Sequence, residues 1–189
     1  MEYAFHIHNK LAADGITLAV DKLLLVNAKK SYSAPPVIVC VGSDLAIGDS
    51  LGPITGSMLK YKTQGLGVYV YGTLASPVTA KEIGRLRALL KETHPKSPVI
   101  AVDAAVGGEG DIGLIKVNSN PLLPGAGANK KLGALGDMSI LGIVAEKSIA
   151  NYGLLNTTRL NLVYTMSEII SSALANLLWE SQGKNVNQA

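Results

Sequence analysis

Asp103 is a lone charge in an apolar setting. It follows Val99-Ile100-Ala101-Val102 and precedes Ala104-Ala105-Val106. Burying an unpartnered carboxylate is expensive, so a chain keeps one mainly where it is hydrogen-bonded, metal-bound or catalytic. A second acid, Asp49, stands in the loop Gly42-Ser43-Asp44-Leu45-Ala46-Ile47-Gly48-Asp49-Ser50-Leu51-Gly52-Pro53, which follows another apolar run, Val37–Val41. At a helix start the dipole favours the ionised form of Asp49. At the mouth of a buried strand, desolvation favours the protonated form of Asp103. If the two converge, one is base and the other acid, as carboxylate pairs divide their roles. Hydrolysis of a peptide by water activated between them suits such a pair; metal binding is the competing use. The structural alternatives are a helix cap for Asp49 and backbone-amide binding in its loop for Asp103.

Around these acids, Gly42, Ser43 and Asp44 are candidates for substrate contact. A phosphate-binding reading of their loop fails on spacing and charge. A P-loop needs Gly-x4-Gly-Lys-Ser/Thr, whereas Gly42 and Gly48 are one residue further apart and Asp49 takes the lysine's place. Thr73 and Ser76, within Gly72–Pro77, are candidates for a cleft wall, the alternative being a turn with a helix cap. Gly125, Gly127, Asn129 and Lys130 lie in a Gly- and Pro-rich segment that could close over the strand ends and bring a cation, or could be an exposed flexible loop. His6 and His8 form a His-x-His pair, a weak metal signal alone, and His94 precedes Pro95 at a helix end, where a surface position is expected. Cys40 sits in Val37–Val41 and reads as a small buried hydrophobe. No metal site and no cofactor is expected.

The elements that must hold the acids follow from periodicity. Ile16, Ala19, Val20, Leu23 and Leu24 predict a helix over 16–29. Val37–Val41 predicts a strand buried on both faces. Pro53 fits the first turn of a helix reaching about residue 64. Gly67–Tyr71 predicts a strand, and Thr79 with Glu82 has capping-box spacing before a helix to about residue 92. Pro98–Val102, Ile112–Val117 and Ile140–Ala145 predict three further strands, with a long loop over 118–137. A last helix is expected over Arg159–Trp179. Strands alternating with helices predict a three-layer α/β/α sandwich with a mostly parallel central sheet. Ligands bind such sheets at the carboxyl ends of the strands, where both acids are expected.

The chain's 189 residues suit one domain, 1–189, with a core over about 16–180 and a disordered tail over 181–189. It is 48% apolar and only 16% charged, which predicts extensive burial and allows a homo-oligomer interface. The net charge of +3 is spread out, unlike the one-sided basic face of a nucleic-acid binder. One cysteine excludes an internal disulfide. No signal peptide is expected, and no apolar run is read as reaching the roughly 18 residues of a membrane span. A cytoplasmic protein without a membrane partner is the expectation.

Several segments, taken in order, resemble the germination protease of spore-forming bacteria and, more closely, its shorter YyaC-type sporulation relatives. They are Val39-Cys40-Val41-Gly42, Asp49-Ser50-Leu51-Gly52-Pro53 and Val99-Ile100-Ala101-Val102-Asp103-Ala104, followed by Asn120–Gly127 with Asn129-Lys130. The resemblance spans about 37–145. It implies an atypical aspartic peptidase with Asp49 and Asp103 catalytic, acting on the small acid-soluble proteins that coat spore DNA. A non-catalytic relative that binds peptide or protein in the same cleft is the alternative. The implied fold is shared by hydrogenase-maturation proteases, which sense nickel through two acids and a later histidine. No histidine follows His94 here, which counts against a nickel site. The chain is also much shorter than the germination protease, and Ser50 stands where that protease typically has alanine.

Overall fold

The computed structural model describes residues 1–26, 32–124, 132–147 and 158–186. Six strands form one sheet: β1 (Glu2–His6), β2 (Val37–Cys40), β3 (Val70–Tyr71), β4 (Val99–Gly107), β5 (Leu114–Asn118) and β6 (Met138–Glu146). Its order is β1-β5-β6-β4-β2-β3. The β3, β2, β4 and β6 neighbours pair in parallel, while β5 pairs antiparallel with both β6 and β1. Among the described residues four helices cover it: α1 (Ala12–Val26), α2 (Leu51–Lys62), α3 (Ile83–Thr93) and α4 (Leu160–Val186).

Alternation along the strands divides the core in two. Ile38, Cys40, Ile100, Val102, Ile115, Met138 and Ile140 pack with Ile16, Val20 and Leu23 of α1, Leu51 and Leu59 of α2, and Met166, Ile170 and Leu174 of α4. Val37, Val39, Val41, Val99 and Ala101 turn the other way, onto Ile83, Leu86 and Leu90 of α3. The result is the expected α/β/α arrangement, with three of the described helices on one face and one on the other. Every residue of β2 is buried, as a central parallel strand requires.

Several elements differ from the sequence reading. α1 begins at Ala12, because Asn9 Oδ1 accepts the Leu11 N–H (2.9 Å) and starts the helix a turn early. β1, for which no element is predicted above, is an edge strand whose Tyr3 and Phe5 reach the core. β3 is only two residues long. α4 continues to Val186, into the expected tail. Within it, Leu160–Ser181 is long and apolar enough to cross a membrane, contrary to the sequence expectation, but 56% of that window is buried inside the fold, as suits a core helix. β4 runs on to Gly107, so Asp103 lies inside a strand and not in a loop.

Candidate functional site

The end of β2 fixes Asp49. The Val41 N–H donates to the Val102 carbonyl (2.7 Å), the last rung between β2 and β4, and the Gly42 N–H then turns away to the Val78 carbonyl (3.0 Å). Gly42 has φ +139°, and a Cβ there would lie 2.1 Å from the Asp49 carbonyl oxygen. Glycine tolerates both the dihedral and the approach. The Ser43 N–H donates to the same carbonyl (3.1 Å), so the loop closes on itself with Asp49 held above the strand end.

Asp49 belongs to a 3-10 turn, Gly48–Ser50, that leads directly into α2. Ser50 takes the N-cap position of α2 but makes no capping bond; its Oγ donates to the Ile47 carbonyl (2.6 Å). Two further glycines let α2 come close. A Cβ on Gly52 would lie 1.9 Å from the Val41 carbonyl oxygen, and one on Gly142 of β6 would lie 2.5 Å from Leu51 Cδ2. Neither is among the site residues expected from the sequence.

Asp103 sits where β4 outruns β2. It pairs in register with Leu141 of β6, beyond the final β2 partner Val102. The Ala104 N–H donates to Asp103 Oδ1 (2.8 Å), so the expected backbone-amide role is present at one carboxylate oxygen. Burial pushes the Asp103 carboxyl well above the usual carboxylate range, and the Asp49 charge pushes it further. Burial also raises Asp49, opposed by a hydrogen bond from the Ser43 backbone. The two acids are therefore electrostatically coupled. Asp103, the more strongly raised, holds a proton more readily, and Asp49 is the one left ionised.

The other candidates are placed unevenly. Thr73 and Ser76 close a tight turn after β3, exchanging two backbone hydrogen bonds of 3.1 Å. The Gly42–Val78 bond ties the segment after that turn to the Asp49 loop. Asp44 is exposed at the loop tip, and Ser43 Oγ accepts the Leu45 N–H (3.2 Å). Gly125, Gly127, Asn129 and Lys130 lie outside the described residues. The flanks of their segment are joined by the Leu122–Leu135 bridge, and Asp137 exchanges hydrogen bonds with Val99. The Asp137 anchor is at the start of β4, four residues before Asp103.

Two carboxylates without an imidazole do not fit a nickel centre, whose usual borderline donor is histidine. His6, the last residue of β1, and His8 have ring centroids 4.9 Å apart with their planes tilted by 38°. His94 is partly buried, not the free surface residue expected, and bonds the Tyr71 hydroxyl (2.9 Å). Among the described residues no group of three or more His, Cys, Asp or Glu side chains could hold a metal ion. Cys40 is fully buried, and burial pushes its thiol up to about 12, the condition of an inert core cysteine.

The raised Asp103 carboxyl has a consequence for stability. In the unfolded chain it titrates near ~3.9. Between that value and its higher folded value, the folded state binds more protons than the unfolded one. Stability therefore falls as pH rises through that interval, and the full cost of the buried charge is present above it. Asp103→Asn removes the cost, so it should raise neutral-pH stability by on the order of 1 kcal/mol, the usual size of a stabilising active-site exchange. It should also flatten the acid-side slope. Urea unfolding at pH 5 and pH 7 reads both; an unchanged slope in the variant would contradict this origin.

A family described as a protein of unknown function, DUF1256, matches residues 8–173. An uncharacterized protein, YyaC of Bacillus subtilis (strain 168), is 38% identical over 156 residues, 82% of this chain and 76% of that protein. Among solved structures, the [NiFe] hydrogenase maturation protease HycI from Thermococcus kodakarensis KOD1 is similar with a TM-score of 0.46 and 19% identity, covering 82% of this chain and 98% of that one.

Proposed function

The chain belongs to the DUF1256 family, and from that premise together with its coupled acids we propose that it is a peptidase of the aspartic type. The observation that carries this reading is the Asp103 carboxyl, raised by burial and by the charge of Asp49. Coupling of this kind gives a carboxylate pair one proton to share near neutral pH.

In the proposed reaction, ionised Asp49 takes a proton from water, whose oxygen adds to the peptide carbonyl carbon. Protonated Asp103 gives its proton to the carbonyl oxygen as the tetrahedral diol forms. The C–N bond then breaks, Asp49 returns its proton to the leaving nitrogen, and Asp103 recovers one from the diol. No covalent enzyme intermediate forms. Gly42, Ser43, Thr73 and Ser76 are assigned to the walls that hold the extended peptide, since their two loops are tied at Gly42–Val78. Small acid-soluble spore proteins are the substrate class that the germination-protease resemblance suggests, met in the cytoplasm of the sporulating cell or spore.

Incubation with such a protein in H₂¹⁸O, read by mass spectrometry, is expected to give fragments with one ¹⁸O in each new carboxyl terminus. No acyl adduct should be trapped by hydroxylamine. Stable binding without any cleavage would overturn the hydrolytic reading and leave a peptide-binding relative.

A further inference from the structure

The outer face of α1 carries a row of exposed leucines. Leu11, Leu18 and Leu25 are 65%, 70% and 69% exposed. The Gly15 N–H donates to the Leu11 carbonyl (2.9 Å), so Leu11 already follows the helical path. The three are spaced at intervals of seven, close to two helical turns, and form one stripe along the helix. The opposite face is buried through Ile16, Ala19, Val20 and Leu23. A helix that is apolar on both faces is a helix with a second partner.

The charges beside the stripe say which partner. Asp14 lies four residues before Leu18 and Lys22 four after it, both exposed. Neither forms an ion pair among the described residues. We propose that α1 is the interface of a two-fold symmetric dimer, with α1 antiparallel to α1 of a second copy and Leu18 on the axis. Residue i then faces residue 36 − i. Leu11 meets Leu25 of the other copy, Leu18 meets itself, and Asp14 meets Lys22 twice. A two-fold contact requires this self-complementarity of one patch. A parallel pairing in register would instead set Asp14 against Asp14 and Lys22 against Lys22. The proposal stands independently of the proposed hydrolysis.

Cross-linking tests the geometry in the full chain. Cys40, the sole native cysteine, is buried. Leu18→Cys should give a disulfide-linked dimer under mild oxidant. Leu11→Cys alone should not, since the two sites would be about 21 Å apart along the antiparallel pair, beyond disulfide reach. In sedimentation, the unaltered chain should be dimeric at micromolar concentration. Leu18→Asp should be monomeric with an unchanged circular dichroism spectrum. Asp14→Lys should weaken the dimer at least tenfold, and adding Lys22→Asp should restore it. A monomeric unaltered chain, a dimer indifferent to Leu18→Asp, linkage of Leu11→Cys as efficient as that of Leu18→Cys, or binding of anionic vesicles by a monomer would each overturn the proposal.

Discussion

Asp103→Asn is expected to cut peptide cleavage about a thousandfold, within the roughly 10²–10⁴-fold that a positioned proton donor or acceptor contributes. Asparagine keeps the shape of the side chain, and its amide oxygen can still accept the Ala104 N–H now held at 2.8 Å. It cannot give up and recover a proton. Burial, which raises the base Asp49, is untouched by the exchange. Asp49→Asn should be as damaging for the reciprocal reason: water loses its base. It also takes away the charge that pushes Asp103 up, while burial, the larger cause, remains. Because the two act as a unit, the double variant should be no slower than the worse single one. Initial rates on one substrate at saturating concentration decide the matter. More than a tenth of the original rate in either single variant would rule out a shared proton.

The unaltered protein should show a bell-shaped rate profile in pH. Its acid limb reports loss of the ionised carboxylate and its alkaline limb loss of the remaining proton. Both apparent values belong to the pair and not to one residue. Since both carboxyls are raised by burial, the whole bell should lie above the range of an exposed aspartate pair. Either asparagine variant should flatten it along with the rate.

Asp103 stands out as a candidate in the sequence because a carboxylate inside Val99–Val106 contradicts its surroundings, and a break of that kind is where a site is expected. Its exact setting does not. Ala104-Ala105-Val106 is as apolar as the residues before it, so nothing local says that β4 continues. Pairing with β6, in which Ala104 meets Gly142, extends the strand past the point where β2 stops. The same limit explains β1, whose Glu2 and His6 look polar because one side of an edge strand faces water. The buried strand β2 and the amphipathic α3 were readable because burial writes a period into the residues themselves. Close approaches leave no such period. Gly52 looks like any glycine near a helix start until the Val41 carbonyl is seen beside it.

Gly52→Ala should therefore destabilise the fold by about 3 kcal/mol, the upper part of the usual range for overpacking. Alanine would ordinarily gain up to about 1 kcal/mol over glycine inside a helix. Here its methyl would lie 1.9 Å from the Val41 oxygen, 2.7 Å from the carbonyl carbon and 2.9 Å from the nitrogen. All three are backbone atoms, and Val41 is held by its 2.7 Å bond to Val102, so no rotamer change can relieve the clash. The helix start must lift, and with it the Gly48–Ser50 turn that carries Asp49. Loss of stability should thus come with loss of cleavage in the fraction that stays folded, since a displacement near 1 Å is enough to cost about 10²-fold in rate. Gly84→Ala is the matched control: this helical glycine has nothing within 4 Å of an added Cβ, and there alanine should be neutral or stabilising with activity unchanged. Thermal and urea unfolding of the two variants side by side separate helix propensity from the Val41 contact. If Gly52→Ala were as stable as Gly84→Ala, α2 would have room to spare above β2, and the placement of Asp49 could not depend on that contact.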